Sequence, residues 1–153
     1  MEPTFREFVD ARGFDVSGLD KTEVRRQEKL YELANFERNY VSNLQTLKTK
    51  VIDPLRERGM LAQGHLDVLF SNVEDILTLH GDFLHDLASQ QRENGVIDRL
   101  HTQCNFLGKL ALYRDYADGH DRQRKRLLEL QKQPEFKEFL DEAWEKMERK
   151  DVD

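Results

Sequence analysis

The feature that most constrains the fold is one long amphipathic segment, residues 28–55, which contains no glycine and no proline before Pro54. At about 100° per residue, the apolar side chains of this segment fall on one side of a helix. These side chains are Leu30, Leu33, Tyr40, Val41, Leu44, Leu47, Val51 and Leu55. The pattern predicts a single long helix that packs along one face.

One acid, Glu37, lies on this apolar face. It falls within roughly 40° of Leu33, Leu44 and Leu55 on the helical wheel. Because burial of an unpaired carboxylate is costly, either the face is only partly covered at Glu37 or another group meets the acid. Spacing alone leaves two interpretations open. Glu37 is either an ordinary charged residue paired with a Lys or Arg of another helix, or a residue that faces a partner surface.

Local signals set the ends of the first helix. Asp20 with Glu23 three residues later forms a capping box, so the helix should begin at Lys21 or Thr22 and continue into the fifties. Pro54 should kink or end it, and Gly59 should stop the chain from continuing as a helix.

Further helices are expected at residues 65–89, at residues 96–115 after the Asn94-Gly95 turn, beside the basic run at residues 122–126, and after Pro134. No segment shows the alternation and β-branched enrichment of a strand. The sequence therefore predicts an all-α, elongated helical bundle. Residues 1–19 should form an N-terminal arm, which packs on the first helix or stays loose, and residues 20–153 the helical domain.

Charge and composition exclude several classes of function. The chain carries 24 Lys and Arg against 30 Asp and Glu, a net charge of −6, so we expect no nucleic-acid binding by charge. The basic run is interpreted as a solvated helix face because acids flank it. No apolar run is long enough to insert in a membrane, and the acidic N-terminus does not resemble a signal peptide. A single cysteine, Cys104, fits a reducing compartment, and we expect a cytoplasmic protein.

No catalytic or cofactor site is predicted. The chain has neither a glycine-rich phosphate loop nor zinc-type cysteine spacing. Asp82-x-x-His85 and Asp98-x-x-His101 superficially match the motif of di-metal bundles, but Asp82 lies opposite the apolar stripe of its helix, so no metal site is expected. Three further residues are interpreted as core: a hydrogen-bonded His80, a small apolar Cys104, and Trp144 with its neighbouring phenylalanines.

Two long segments resemble the Dbl-homology domain, which is found in guanine nucleotide exchange factors for Rho-family GTPases. The first is residues 30–55, with Leu33, Glu37, Tyr40-Val41, Leu44 and Pro54-Leu55. The second is LFSNVEDILTLH at residues 69–80, followed by Phe83-Leu84, and it places His80 where the family pattern has a histidine. The later matches are Tyr113-x-x-Tyr116 and Phe136-x-x-Phe139-Leu140.

The resemblance implies a partner and a site. The partner would be a Rho-family small GTPase, bound at its switch regions in the nucleotide-free state, so that GDP leaves without any covalent chemistry. In the family, the glutamate of the first segment contacts switch I, and Glu37 is the matching residue. The alternative is a helical interaction module that keeps the fold, binds a GTPase or acts as a scaffold, and has no exchange activity.

This sequence departs from the family pattern in two places. Phe36 stands where the family has Thr or Ser. Nothing matches the family's third segment, whose Pro-x-Gln-Arg motif and long helix cover the first helix. We therefore expect a bundle incomplete at its C-terminus, with weak exchange activity or none from residues 1–153 alone. An uncovered apolar face also predicts a homodimer through that face, or packing of residues 1–19 against it.

Overall fold

The computed structural model describes residues 2–100 and 108–149, and all regular secondary structure in them is helical, which confirms the all-α prediction. The helices are α1 (Phe5–Arg12), α2 (Lys21–Leu47), α3 (Asp53–Glu57), α4 (Gln63–Phe70), α5 (Val73–Asn94), α6 (Ala111–Asp118), α7 (His120–Leu130) and α8 (Pro134–Glu148), with a π-helical segment at Lys48–Ile52.

The chain forms two compact units. Unit 1 comprises Met1–Val41 and Thr78–Lys109, and unit 2 comprises Ser42–Leu77 and Leu110–Asp153. The predicted division into an arm of residues 1–19 and a domain of residues 20–153 is a different partition, and it stays a prediction.

Helix α2 begins where its cap was predicted. The Asp20 carboxylate accepts the backbone N–H of Glu23 at 2.8 Å, which satisfies one of the donors that a helix start leaves unpaired. Glu23 uses its own carboxylate differently, since Oε1 accepts from Arg26 at 2.9 Å and from Gln27 at 2.8 Å. Helical residues then continue without a gap to Glu57, as the sequence predicted.

Pro54 changes the helix just before it rather than breaking it. A proline ring clashes with the carbonyl four residues earlier and has no N–H to donate. The preceding residues, Lys48–Ile52, adopt the wider π-helical geometry, and the N–H of Asp53 donates to the carbonyl of Lys48, five residues back. The helical run stops at Gly59, whose φ of 59° confirms the predicted C-terminal stop.

The helix expected at residues 65–89 is two helices, α4 and α5, and that prediction is corrected. Ser71 has φ 45° and ψ −122°, and its N–H closes α4 on the carbonyl of Asp67 at 3.0 Å. The Asn72 side chain donates to the carbonyl of Leu112 at 2.6 Å. The backbone of Ser71 is outside the helical region, and the chain restarts as α5 at Val73.

The helix expected at residues 96–115 is also corrected. Residues 97–100 are not helical, residues 101–107 with Cys104 lie outside the described residues, and α6 covers Ala111–Asp118. Gln27 explains why residues 97–100 are not helical. Its side-chain amide donates to the carbonyl of Ile97 and accepts the N–H of Ile97, both at 2.8 Å. Gln90 Oε1 accepts the next two N–H groups at 2.9 Å. These bonds replace those of a helical turn.

Unit 1 has two apolar clusters. One joins α2, α5 and the segment at Ile97; its buried members are Leu30, Ala34, Phe83, Leu87 and Ile97. The other joins α1 to Tyr31 of α2; its buried members are Phe5, Phe8, Val9 and Tyr31. Of the two behaviours expected for residues 1–19, the structure therefore shows packing on α2.

Unit 2 is built around α4, α8 and the end of α7. The buried members of its main apolar cluster are Val51, Leu55, Leu61, Leu66, Leu69, Leu130, Phe136, Phe139 and Ala143. Trp144 was predicted to be core, but it is 61% exposed, because Ala143 occupies the buried position of α8 and the next residue of a helix points about 100° away. Its Nε1 donates to Glu148 at 2.8 Å.

Charged side chains of unit 2 lie mainly at its surface. Arg122, Arg124 and Lys125 of the basic run are exposed, as predicted.

Arg56 Nη2 lies 2.6 Å from Glu74 Oε1, and this hydrogen bond raises the pKa of Arg56 above its ordinary value.

Gly95 and Gly81 should respond in opposite ways to replacement by alanine. Gly95 has φ 74°, and a Cβ there would lie 2.5 Å from Phe14 Cγ, so Gly95→Ala should destabilise the protein by about 1 to 3 kcal/mol. Gly81 lies inside α5 with open space beside it, so Gly81→Ala should stabilise by up to about 1 kcal/mol. Urea unfolding of both variants measures the two changes; equal shifts would contradict the assignment.

Candidate functional site

The carboxylate of Glu37 is paired within unit 1. Its Oε2 lies 2.7 Å from Nδ1 of His80, which comes from α5, and the two side chains are 13% and 7% exposed. The partner is thus an imidazole, whereas one interpretation of the sequence expected a Lys or Arg. The prediction that His80 is a core histidine with a hydrogen-bond partner is confirmed.

The imidazole is held from a second side by Tyr40. The two rings meet edge to face, with centroids 4.6 Å apart and an interplanar angle of 70°. A carboxylate accepts hydrogen bonds but does not donate them, so the Nδ1 of His80 carries the hydrogen of this bond. A buried, hydrogen-bonded and ring-packed partner fixes the position of the Glu37 carboxylate.

The second oxygen of Glu37 remains available. Among the described residues, Oε1 has no hydrogen-bond partner, and it is not sealed from solvent. A carboxylate accepts about two hydrogen bonds per oxygen when ionised. The geometry therefore leaves an oriented acceptor in a side chain that is 13% exposed.

An exposed aromatic residue directly precedes Glu37 in the chain. Phe36 is 73% exposed, whereas Leu33 and Val41 on the same helix are half-buried. An exposed large apolar group beside an oriented polar group is typical of an interface. Sequence reasoning singled out Glu37 and treated Phe36 only as a departure from a pattern, because periodicity does not reveal how exposed a residue is.

The other candidate site residues are not brought together. Asp82 and His85 are exposed on α5, and His101 lies outside the described residues. No three His, Cys, Asp or Glu side chains within residues 2–100 and 108–149 could hold a metal ion between them. In the same part of the chain, no helix is long and apolar enough to cross a membrane.

Comparison with known proteins finds one matching family and several relatives. The pattern of the RhoGEF domain matches residues 30–153. The chain is 33% identical to the phosphatidylinositol 3,4,5-trisphosphate-dependent Rac exchanger 1 protein of Mus musculus over 125 residues, which are 72% of this chain and 7% of that protein. It is 26% identical to the neuroepithelial cell-transforming gene 1 protein of Homo sapiens over 129 residues, 83% of this chain and 22% of that protein.

A third relative is the phosphatidylinositol 3,4,5-trisphosphate-dependent Rac exchanger 2 protein of Homo sapiens. It is 31% identical over 144 residues, which are 86% of this chain and 9% of that protein. The chain thus spans less than a quarter of the length of each of these three relatives.

The bond between Glu37 and His80 should be measurable as an energetic coupling. In a double-mutant cycle of Glu37→Ala and His80→Leu, the coupling should be about 1 to 3 kcal/mol, because each single variant leaves a buried polar partner without its hydrogen bond. The same cycle on Lys29 and Glu32, an exposed pair 2.9 Å apart, provides the control and should give a value near zero. Urea unfolding measures both; similar couplings for the two pairs would show that the Glu37 bond contributes little.

Proposed function

The chain belongs to the RhoGEF domain family, and on that premise we propose that it binds a Rho-family small GTPase and promotes the release of GDP. Such a protein is a regulator of a GTPase rather than an enzyme that breaks a covalent bond. We place it in the cytoplasm, where that partner would be met. The names of the relatives support the proposal, since two are Rac exchangers and another is Rho guanine nucleotide exchange factor 12 of Mus musculus.

The observation that carries the proposal is the arrangement of the Glu37 carboxylate. One oxygen is held by His80 at 2.7 Å, while the other reaches the surface without a partner among the described residues. Because the acceptor is already oriented, a partner that donates to it loses little side-chain entropy on binding. The family resemblance assigns this glutamate to the switch I contact of the GTPase.

Exchange by this route needs only differential binding. A GTPase exists as a nucleotide-bound form and a nucleotide-free form, and a protein that binds the second more tightly shifts the population toward it. Glu37 would accept a hydrogen bond from the switch region, and the ring of Phe36 would add apolar contact beside it. Neither residue needs to act on the nucleotide.

Two features favour the alternative of a module that binds without exchange. Glu37 is 13% exposed and already uses one oxygen inside the protein, so its reach toward a partner is short. Phe36 also replaces the small hydroxyl residue of the family pattern with a bulky, 73% exposed ring.

The homodimer expected through the apolar face of residues 28–55 stays a prediction, which light scattering of the purified chain tests.

Two measurements on a panel of Rho-family GTPases distinguish the readings. The first is the release rate of a fluorescent GDP analogue, and the second is the affinity of the chain for the nucleotide-free and GDP-loaded forms. We expect tighter binding of the nucleotide-free form, and an acceleration of release that is weak for residues 1–153 alone. Equal affinity for both forms without any acceleration supports the binding module, and no binding to any GTPase contradicts both readings.

Substitution at Glu37 tests the site itself. Glu37→Ala should weaken binding of the nucleotide-free GTPase, and any exchange, by at least about tenfold, because a hydrogen bond to a charged acceptor is lost. Glu37→Gln keeps the shape and should show a smaller loss. Glu74→Ala is the control, since Glu74 pairs with Arg56 in unit 2, and it should leave binding unchanged. Thermal unfolding of each variant checks the fold; equal effects of Glu37→Ala and Glu74→Ala would count against the site.

A further inference from the structure

A cavity in unit 1 collects positive charge. Its volume is about 320 Å³, and its lining includes three arginines, Arg12 from α1, Arg38 from α2 and Arg92 from α5. The described lining also contains one acid, Glu2. Arg12 and Arg92 are exposed and Arg38 is half-buried, so solvent screens part of the repulsion between them, and an anion bound among them would meet favourable charge. The volume lies at the lower end of the range for small-ligand pockets.

Two of the arginines have no acidic partner within residues 2–100 and 108–149. Neither Arg12 nor Arg92 forms an ion pair with any described residue. The guanidinium of Arg12 lies over the ring of Phe8, 5.0 Å from its centroid, and Nη2 of Arg92 is 3.3 Å from the hydroxyl of Ser89. Both contacts orient the guanidinium groups and leave most of their N–H donors for another acceptor.

Gln91 provides an independent sign of a missing ligand. The residue is 6% exposed and lines the cavity between the arginines. Its side-chain amide makes no hydrogen bond to any described residue, yet its atoms are not sealed from the cavity. Because the amide atoms are accessible, a polar group that enters the cavity can hydrogen-bond to them. An amide can donate to and accept from a hydroxyl.

We propose that this cavity binds a phosphorylated polyol, such as a sugar monophosphate or the headgroup of a phosphorylated inositol lipid. Arg12 and Arg92 would bind the phosphate, since the guanidinium group matches phosphate oxygens in a bidentate manner. Gln91 would hydrogen-bond a ring hydroxyl. The carboxylate of Glu2 would accept from another hydroxyl and disfavour a second phosphate near it. Tyr31 supports the wall, with its hydroxyl donating to the carbonyl of Glu2. Glu37 takes no part.

Binding is measured by calorimetry on the whole chain with three soluble probes: glucose phosphate, inorganic phosphate and glucose. Glucose phosphate should bind more tightly than either of the other two, since only it uses both the arginines and Gln91. Sedimentation with phosphatidylcholine vesicles, with and without phosphatidylinositol phosphate, then separates a lipid source from a soluble one. Binding of either phosphorylated polyol supports the site, and binding of neither overturns it. Inorganic phosphate binding as tightly as glucose phosphate overturns the polyol assignment.

Variants show whether these residues carry the binding. Arg12→Ala and Arg92→Ala should each weaken glucose phosphate binding by about tenfold or more, because charged hydrogen bonds are lost. Gln91→Leu should weaken glucose phosphate but leave inorganic phosphate unchanged, which a purely structural role would not produce. Arg124→Ala, an exposed position of α7 in unit 2, is the control. An equal loss in Arg124→Ala would mean that binding follows net charge, and it overturns the proposal. Thermal unfolding verifies that each variant is folded.

Discussion

A carboxylate on the apolar face of a helix has to be paired, and in this protein the imidazole of His80 meets that requirement from 2.7 Å. The pair connects α2 and α5 inside unit 1, where both side chains are largely removed from water. Buried polar contacts of this kind strengthen in a low-dielectric surrounding and become costly when one partner is removed. The pairing lets the acid stay on the face that packs, while one of its oxygens still reaches the surface.

The same need to satisfy buried polar groups determines where helices stop. The Gln27 amide bonds both peptide groups of Ile97, which is 1% exposed, and Gln90 takes the two N–H groups that follow. Each amide replaces bonds that a helical turn would have made, so these segments leave the helical path without unpaired backbone groups.

Unit 1 presents two surfaces of opposite chemistry. One carries an oriented acceptor, Glu37, beside the exposed ring of Phe36, and the other is a cavity lined by three arginines. Glu37 belongs to the first surface, and Arg38, the next residue of α2, lines the cavity. A single helix thus supplies the acidic residue of one surface and a basic residue of the other.

The sequence alone determined the helical class, the Asp20 cap, the turns at Gly59 and Gly95, and the start of α8 at Pro134, because these depend on neighbouring residues and backbone geometry. It also marked Glu37 as an acid out of place. Only the tertiary structure decided the break at Ser71, the loss of helix at residues 97–100, the exposure of Trp144 and the identity of His80 as the partner of Glu37. The bonds that decide the partner of Glu37 and the loss of helix at Ile97 join residues 43 and 70 positions apart, a separation that no local pattern encodes.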